Sequence, residues 1–442
     1  MSATMDYLKK RALKKLSLRK KHHTLRTLPL AYTSAHTSAY ASDSASTTSQ
    51  TKSVSWWQEW AFNQAQDYYP SLLNTQEIDE PLNFNTNDYL GLERSKCFAP
   101  LHAQLAHLLP LGGLSSRLIG GNHTVISALE KTFAQLFGYE TALYFSSGTI
   151  LGHSLAPLIQ SLEHKPQDIR FFSDELNHAC TITGMRLAKI PHSHKHIFKH
   201  LNFQDLNTLL HQHPSPCQAI FLEALYSMDG DSPKIEDLKQ LTCEPNRILI
   251  VDEAHSLGIW GKEGKGLISS SLTHPITDHI IGMYPCGKAL GLNGAFLSGP
   301  NYLIDYAINF AGGFIYTTAP SPMVAASLLC RLYMLKHLQP LRKRLTDISL
   351  SLCHQLSTLG YHTKGDGSPI LSIILPSNHA AIELSLYLKN HGIYTTAIRP
   401  PTVPSGTSRL RLSLHPFLNH NHLCYLHSAF QKAQKTLKGL LL

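Results

Sequence analysis

The chain has 442 residues, of which 43% are hydrophobic, so it is long enough to bury a large core in two or more domains. Residues 1–26 supply +8 of the net charge of +9, and the nearly neutral remainder argues against a protein that binds nucleic acid. No apolar run is long enough for a membrane span, and the eight cysteines include no C-x-x-C pair, which is typical of a reduced protein without structural zinc.

Residues 1–55 are predicted to form a disordered arm, which is basic at first and then rich in Ser, Thr and Ala. Its few leucines are too sparse to build a core of their own. Bases with serine and almost no acid are also typical of an organelle transit peptide, so targeting by this arm is the alternative to a cytoplasmic location. The folded chain is predicted to begin near Trp56, with residues 56–95 packing on the main body.

Strands alternate with helices from about residue 141 to 298, which predicts a sheet with helices on both faces in a large domain, residues 96–335. One strand, residues 142–145, ends in Ser-Ser-Gly-Thr just before a helix. Backbone amides at such a helix N-terminus favour an anion, and a single phosphate is the natural candidate. Many turns between a strand and a helix look like this one, so the signal is weak when taken alone.

The most informative part of the sequence contains two apolar strands that each end in a polar group. The first strand, residues 248–251, leads to Asp252 and His255, and the second leads to Lys288 in a glycine-rich loop. Ligands of open α/β sheets collect just beyond the strand ends. A carboxylate, an imidazole and an amine gathered there suit a cofactor with one basic ring and one aldehyde. Taken singly, these residues also fit a capped turn and a surface lysine.

Two motifs of ATPases overlap with this part of the chain. Residues 251–255, VDEAH, resemble the metal-binding strand of a helicase, and residues 282–288 have the spacing of a phosphate-binding P-loop. The residue after Lys288 is Ala289, although a P-loop needs Ser or Thr there to hold Mg²⁺. The order of the two motifs is also reversed along the chain, so we reject an ATPase.

The last hundred residues repeat a smaller α+β pattern. A strand over residues 369–375, a helix over 380–390, an alternating strand over 409–414 and a helix over 421–438 predict a second, smaller domain, residues 336–442. The 27 histidines of the chain do not predict a metal site. The notable groups are His192, His194 and His196, then His211 and His213, then His420 and His422, and no carboxylate or cysteine joins them at the spacing of zinc ligands.

Together the motifs resemble those of the α-oxoamine synthase group of fold type I pyridoxal-phosphate enzymes, and within that group those of the 8-amino-7-oxononanoate synthases. The resemblance covers about residues 83–414. It implies an α/β, aminotransferase-like fold, in which a mostly parallel seven-stranded sheet flanked by helices forms the large domain and an α+β domain follows. The motifs that carry it are NDYLGL, SRLIGGNH, YFSSGT, DELNHAC, ALYSMDGD, VDEAHSLGIWGKEGKG, GKALG, FIYTTAP and AIRPPTVPSGTSRLRLSL.

The resemblance implies a role for each matched residue. Lys288 would carry pyridoxal 5'-phosphate covalently and act as a base, Asp252 would pair with the pyridine nitrogen, and His178 would stack on the ring. Arg411 would bind the carboxylate of the amino acid. The remaining assignments are His255 and Ser227 near the ring hydroxyl, Gly148 and Thr149 at the phosphate, Thr317 and Thr318 at the phosphate of the neighbouring subunit, and Asn87 and Thr402 on the substrate side.

The implied reaction is a decarboxylating condensation of L-alanine with a pimeloyl thioester of coenzyme A or acyl carrier protein, which gives 8-amino-7-oxononanoate, CO₂ and the free thiol. The resemblance also implies a homodimer with shared active sites. Three positions depart from the family pattern: Pro285 replaces a hydroxyl that contacts the phosphate, Ile126 replaces a histidine, and Gln66 replaces a base near the acyl substrate. Two alternatives stay open, namely a sister synthase that uses glycine or serine with another acyl-CoA, and a cofactor-binding protein without activity.

Overall fold

A seven-stranded sheet forms the centre of the large domain. The structure is a computed structural model and describes residues 3–29, 31, 53–75, 82–163, 165, 168–271, 279–437 and 439–441. The sheet has the strand order β2-β8-β7-β6-β5-β3-β4, and β8 alone runs antiparallel to its neighbours, which confirms the predicted mostly parallel sheet. Its strands are β2 (Thr141–Phe145), β3 (Ile169–Asp174), β4 (Lys195–Phe198), β5 (Cys217–Glu223), β6 (Arg247–Asp252), β7 (Ile280–Pro285) and β8 (Ala295–Gly299).

Helices cover both faces of this sheet because its central strands are apolar on both sides, as in other parallel sheets. Every residue of β5 and β6 is buried. Among the described helices, none is long and apolar enough to cross a membrane. The helices of this part are α3 (Ala99–Leu108), α4 (Thr124–Phe137), α5 (Gly148–Gln160), α6 (Ala179–Leu187), α7 (Phe203–Gln212), α8 (Ile235–Thr242), α9 (Gly266–Ser271), α10 (Asn301–Phe310), α11 (Gly312–Ile315) and α12 (Pro322–Met334).

The small domain is built on a four-stranded antiparallel sheet with the order β12-β13-β10-β9. Its elements are α13 (Gln339–Thr358), β9 (His362–Lys364), β10 (Ile370–Ile374), α14 (Asn378–Asn390), β11 (Ile393–Tyr394), β12 (Thr396–Ile398), β13 (Arg409–Ser413) and α15 (His420–Thr436). The segment before the large domain reaches both units: α2 (Val54–Asn74) packs on α4 and α12, and β1 (Leu82–Asn83) pairs in parallel with β11. This connection places residues 82–92 between the domains, beside the site described below.

The basic arm is folded where the structure describes it, in contrast to the predicted disorder. Residues Ala3–Lys21 form a helix, α1, and Leu8, Ala12 and Leu16 are buried against the large domain at a spacing of one helical turn. The arm lacks a core of its own, but this stripe completes the core of the body. Residues 32–52, which hold most of the predicted Ser/Thr/Ala tract, lie outside the described residues.

Two basic residues of α1 also donate hydrogen bonds to the C-terminal end of α5. The Arg11 guanidinium donates to the Leu162 carbonyl at 3.3 Å, and the Lys15 amine donates to the Ser161 carbonyl. These carbonyls lie at the C-terminus of α5, where positive charge stabilises a helix. Farther along the arm, the Pro29 carbonyl accepts a hydrogen bond from Asn122 at 2.7 Å. The arm is therefore an integral part of the large domain.

Truncation of a buried arm residue is expected to release α1. Leu8→Ala removes a side chain that is 2% exposed, and a Leu→Ala change in a packed site costs about 2–5 kcal/mol. Amide hydrogen exchange over residues 6–21 should therefore become much faster in this variant. Leu13→Ala, at a position on the same helix that is 47% exposed, is the matched control and should leave the exchange unchanged. Equal protection of α1 in both variants would contradict the packing described here.

Candidate active site

Two of the predicted site residues, Asp252 and Lys288, meet at one edge of the large sheet, where β5, β6 and β7 end. Asp252 is the last residue of β6 and lies opposite Glu223 of β5 and Met283 of β7 in the strand register. Lys288 follows β7 after a short turn. Carboxyl ends of neighbouring parallel strands share an edge of the sheet, so the amine and both carboxylates converge, as the strand pattern predicts.

A continuous hydrogen-bond network links the lysine to an arginine of the small domain. The Lys288 amine lies 2.7 Å from His255 Nε2, and His255 Nδ1 lies 2.7 Å from the Tyr89 hydroxyl. That hydroxyl accepts a hydrogen bond from Arg411 Nη2 at 3.0 Å. Arg411 Nη1 donates to Asn87 Oδ1 at 3.1 Å, and Arg411 Nε donates to the Ser227 carbonyl at 2.6 Å. The two domains thus meet in the site through the side chain of Arg411.

Burial sets the protonation of this network. It lowers the pKa of Lys288, against the opposing charge of Asp252, and it lowers the pKa of His255 well below its usual range, with Lys288 acting in the same direction. Burial raises the pKa of Tyr89 to about 12, so its hydroxyl keeps its proton. The hydroxyl lies within hydrogen-bond distance of both Asn87 Oδ1, at 3.1 Å, and His255 Nδ1, at 2.7 Å. The lowered pKa of Lys288 favours the uncharged amine, which is the nucleophilic form.

The two buried carboxyl groups of the site, Asp252 and Glu223, would be stabilised in their charged form by a bound cation. Burial raises the pKa of Asp252, and Lys288 opposes this effect, while one oxygen of Asp252 accepts a hydrogen bond from the Ala254 amide at 2.9 Å. Burial raises the pKa of Glu223 well above its usual range, and the Asp252 charge adds to that effect. Glu223 Oε1 is buried and has no hydrogen-bond partner among the described residues. Buried acids in this state fit a ligand with a protonated ring nitrogen.

The N-terminus of α5 forms the opposite wall of the site. The Ser147 hydroxyl caps this helix by accepting a hydrogen bond from the Ile150 amide at 3.2 Å. A Cβ atom on Gly148 would lie 2.8 Å from Pro285 Cβ, so a side chain at this position would clash with the end of β7. The backbone of Gly148 and Thr149 therefore reaches the cavity directly, as the predicted phosphate turn requires.

Two adjoining cavities share Asn87, His178 and Lys288. One, of about 260 Å³, also borders Asp252, Gly148 and Thr149, and the other, of about 290 Å³, also borders Ser227, His255 and Arg411. Three further predicted residues line neither cavity of the described chain, namely Thr317, Thr318 and Thr402. Thr318 and Thr402 are exposed, and Thr317 is half-buried. Their roles stay predictions.

The site also contains Tyr89, Glu223 and Cys180, for which the sequence predicted no role. Tyr89 stands two positions after Asn87 in the NDYLGL motif, but only the fold brings it to His255. Glu223, like Asp252, is the last residue of an apolar strand, and this shared position could have identified it as a site residue. Cys180 also lines the first cavity, and its sulfur lies 3.0 Å from His178 Nδ1.

One cluster of acidic and histidine side chains lies behind the site. Ligand atoms of His200, Asp229 and Asp231 come within 4.8 Å of one another. His200 Nδ1 lies 2.9 Å from Asp174 and Nε2 lies 3.1 Å from Asp231, while Asp229 pairs with Arg409 and Lys364. Protein cations already neutralise these carboxylates, so the cluster is an ion-pair network.

The stabilising effect of His200 is expected to disappear in alkali. Burial lowers the pKa of His200, but hydrogen bonds to Asp174 and Asp231 outweigh burial and raise it from 6.5 to about 9. Because the folded-state pKa is the higher one, the charged imidazole stabilises the fold fully below the unfolded pKa, and this effect is lost as the pH rises through about 9. The melting temperature of His200→Gln should therefore lie well below that of wild type near pH 6 and approach it near pH 10.

The exposed His192 supplies the control for this measurement, since His192→Gln should melt with the wild type at every pH. A His200→Gln deficit that stays constant from pH 6 to pH 10 would show that His200 is uncharged in the folded protein.

The chain is similar to a protein family and to several known proteins. Residues 79–430 match the aminotransferase class I and II family. An 8-amino-7-oxononanoate synthase of Chromohalobacter salexigens is 35% identical over 75% of this chain and 84% of its own length. The solved 8-amino-7-oxononanoate synthase of Francisella tularensis is 26% identical, with a TM-score of 0.67 over 81% of this chain and 99% of that one. A serine palmitoyltransferase of S. paucimobilis, solved with PLP and myriocin, is 20% identical and superposes with a TM-score of 0.73 over 85% and 98% of the chains.

Proposed function

This chain belongs to the aminotransferase class I and II family, and from that membership we propose that it condenses L-alanine with a pimeloyl thioester to give 8-amino-7-oxononanoate, CO₂ and the free thiol. The similarities confirm the resemblance to α-oxoamine synthases and a pyridoxal-phosphate acyltransferase activity. The observation that carries the proposal is the network from Lys288 through His255 and Tyr89 to Arg411, because it joins a cofactor amine to a carboxylate-binding group across two adjoining cavities.

The cavity at the sheet edge fits pyridoxal phosphate on chemical grounds. The orphaned Glu223 oxygen and the buried Asp252 suit a protonated ring nitrogen, and the N-terminus of α5 suits the phosphate. Gly148 and Thr149 would hold the phosphate, Asp252 the ring nitrogen and Lys288 the aldehyde carbon. When bound, the cofactor supplies an electron-withdrawing ring that stabilises negative charge on the substrate Cα.

The side chains around Lys288 prepare its amine for two tasks. Burial favours the uncharged amine, which is the form that bonds to a carbonyl carbon. Once the amino acid has displaced it, the same Nζ atom is free to take the Cα proton. His255 Nε2 lies 2.7 Å away and orients the amine, and the Tyr89 hydroxyl holds the imidazole ring in place through Nδ1. A base whose pKa is lowered by burial moves a proton efficiently near neutral pH.

Arg411 is placed to bind the carboxylate of the amino acid. Its guanidinium borders the cavity next to Lys288, and its two terminal nitrogens face the neutral oxygens of Asn87 and Tyr89. No carboxylate pairs with Arg411 among the described residues, so its charge is available to an anionic substrate. Arginine binds carboxylates through two parallel hydrogen bonds, which fixes the orientation of the amino acid above the lysine.

The proposal includes a homodimer. Leu114, Ile119 and Tyr316 are each at least 80% exposed, and the loops that carry them pack together, since the Ala319 amide donates to the Ser115 carbonyl at 2.9 Å. Exposed apolar side chains of this size are typical of a surface that another chain covers. A second copy docked here would bring Thr317 and Thr318 toward its partner's site. A sedimentation measurement on the purified protein should give the mass of a dimer, and a monomer mass would contradict this part of the proposal.

The proposal also includes a cytoplasmic location. The basic arm packs on the core of the large domain through Leu8, Ala12 and Leu16, which argues that it stays with the folded protein. Removal of a transit peptide over these residues would expose that apolar surface.

A substrate screen tests the proposed reaction. The purified protein, supplied with pyridoxal phosphate, is titrated with alanine, glycine and serine while the visible absorbance is followed. Pimeloyl-CoA and pimeloyl-acyl carrier protein are then compared with acetyl-CoA and palmitoyl-CoA, and the product is identified by mass spectrometry. We expect turnover with alanine and a pimeloyl donor. Turnover only with glycine or serine would indicate a sister synthase, and no response to any amino acid would indicate a cofactor-binding protein without activity.

A further inference from the structure

The turn after β5, residues 226–231, lies in the large domain and contacts the small domain beside the active site. We call it the interdomain turn. Three successive residues of this interdomain turn contact three neighbouring strands. The Ser227 carbonyl accepts from Arg411 of β13 at 2.6 Å, the Met228 carbonyl accepts from Ser372 of β10, and the Asp229 carboxylate pairs with Lys364 of β9 at 3.1 Å.

The register of the small sheet explains why these contacts form a row. Ser372 of β10 lies opposite Arg411 on one side and opposite Lys364 on the other. Side chains opposite each other in a sheet project from the same face, so all three point toward the interdomain turn. Asp229 therefore holds one end of a row whose other end is the arginine that faces the substrate cavity.

A second ion pair ties Asp229 to the strand of Arg411 itself. Asp229 Oδ1 pairs with Arg409, which stands two residues before Arg411 on β13 and so projects from the same face. Both partners are buried, with Asp229 4% and Arg409 3% exposed, so water cannot solvate either charge when its partner is removed. Removing one partner of a buried pair leaves an uncompensated charge, which strongly destabilises the contact between the turn and β13.

The backbone of the turn is also fitted closely to the small domain. Gly230 has φ of +69°, and a Cβ atom there would collide with the Ile370 carbonyl. On the other side, the Tyr226 amide donates to the Asp231 carbonyl at 2.8 Å, and the Asp231 side chain lies 3.1 Å from His200 of the large domain. The turn is thus bonded to the large domain and packed closely against the small domain.

We propose that Asp229 is a positioning residue for the substrate carboxylate. By holding Arg409 and Lys364 against the interdomain turn, it keeps the Arg411 guanidinium at the cavity that Lys288 also borders. This inference rests on the proposed function, in which Arg411 binds the amino acid. Without the Asp229 charge, β13 moves away from the turn and the Ser227 carbonyl loses its bond to Arg411 Nε. The cofactor cavity keeps its walls, because Asp229 does not border it.

Asp229→Asn tests the inference, because it removes the charge and keeps the shape. We expect the dissociation constant of alanine, measured by absorbance titration of the enzyme loaded with pyridoxal phosphate, to rise at least about tenfold, the loss typical of a weakened charge-assisted contact. The dissociation constant of pyridoxal phosphate should change by less than about twofold. In steady-state kinetics KM for alanine should rise and kcat should stay close to that of wild type, as expected when only substrate binding is lost.

Ethylamine separates positioning from general damage, since it has the amine of alanine but no carboxylate. Its affinity should be the same in wild type and Asp229→Asn. Asp366→Asn, an exposed acid in the loop after Lys364, is the matched control and should bind alanine as wild type does. Lys364→Met removes a half-exposed partner and serves if Asp229→Asn does not fold; its alanine affinity should fall severalfold.

Three outcomes overturn the inference: unchanged alanine affinity in Asp229→Asn, an equal loss of affinity for ethylamine, or a parallel loss of cofactor affinity. A failure of the proposed function looks different, because the wild-type protein would then respond to glycine or serine in place of alanine. The Asp229 comparison is repeated with whichever amino acid the wild type binds.

Discussion

Replacing Lys288 by alanine is expected to abolish turnover and to remove the covalent attachment of pyridoxal phosphate. Lys288 is the one amine that borders the two cavities in the described chain, so no neighbour is placed to replace it. The loss of a positioned base alone lowers a rate by about 10²- to 10⁴-fold, and the loss of the attachment point adds to this effect. The measurements are turnover of alanine with pimeloyl-CoA and the visible absorbance of the protein supplied with cofactor.

Borohydride reduction makes the Lys288 test specific. In the wild type, peptide mapping should find the reduced cofactor on Lys288, and in Lys288→Ala no peptide should carry it. Lys262→Ala, at an exposed position, is the control and should behave as wild type. Synthase activity in Lys288→Ala, or cofactor on a different lysine of the wild type, would refute the assignment of this residue.

The part of the site that follows strand ends was predictable from the sequence, and the part that depends on docking between segments was not. Asp252 ends one apolar strand and Lys288 follows another after a short turn, so a local pattern indicates their place on the sheet edge. Tyr89 and His255 are 166 residues apart, and their hydrogen bond exists only because residues 82–92 lie between the domains. No periodicity in either segment encodes that contact.

The arm shows the same limit for secondary structure. Its composition alone is that of a disordered segment, because Leu8, Ala12 and Leu16 are too few to form a core. In the folded protein these residues join the core of the large domain beside α10, and tertiary packing supplies the stability that the isolated helix lacks. A prediction from local composition cannot contain this contribution.

Replacing Arg411 by alanine is expected to weaken the binding of alanine by about 1.5–3 kcal/mol, the range for a hydrogen bond to a charged group. This corresponds to a rise of roughly 10- to 150-fold in the dissociation constant. Arg411→Lys should lose most of the same affinity, because an ammonium group keeps the charge but not the planar fork that binds both carboxylate oxygens. The dissociation constants come from absorbance titration of the enzyme loaded with cofactor.

The affinity for ethylamine distinguishes a carboxylate site from a purely structural arginine. Arg411 also donates hydrogen bonds to Asn87, Tyr89 and Ser227, so its removal could disturb the network that orients His255 and Lys288. Such a disturbance would weaken alanine and ethylamine alike, whereas the loss of a carboxylate contact weakens alanine alone. An unchanged alanine dissociation constant in Arg411→Ala would remove the arginine from the substrate site and, with it, the physical link between the two cavities on which the proposed reaction depends.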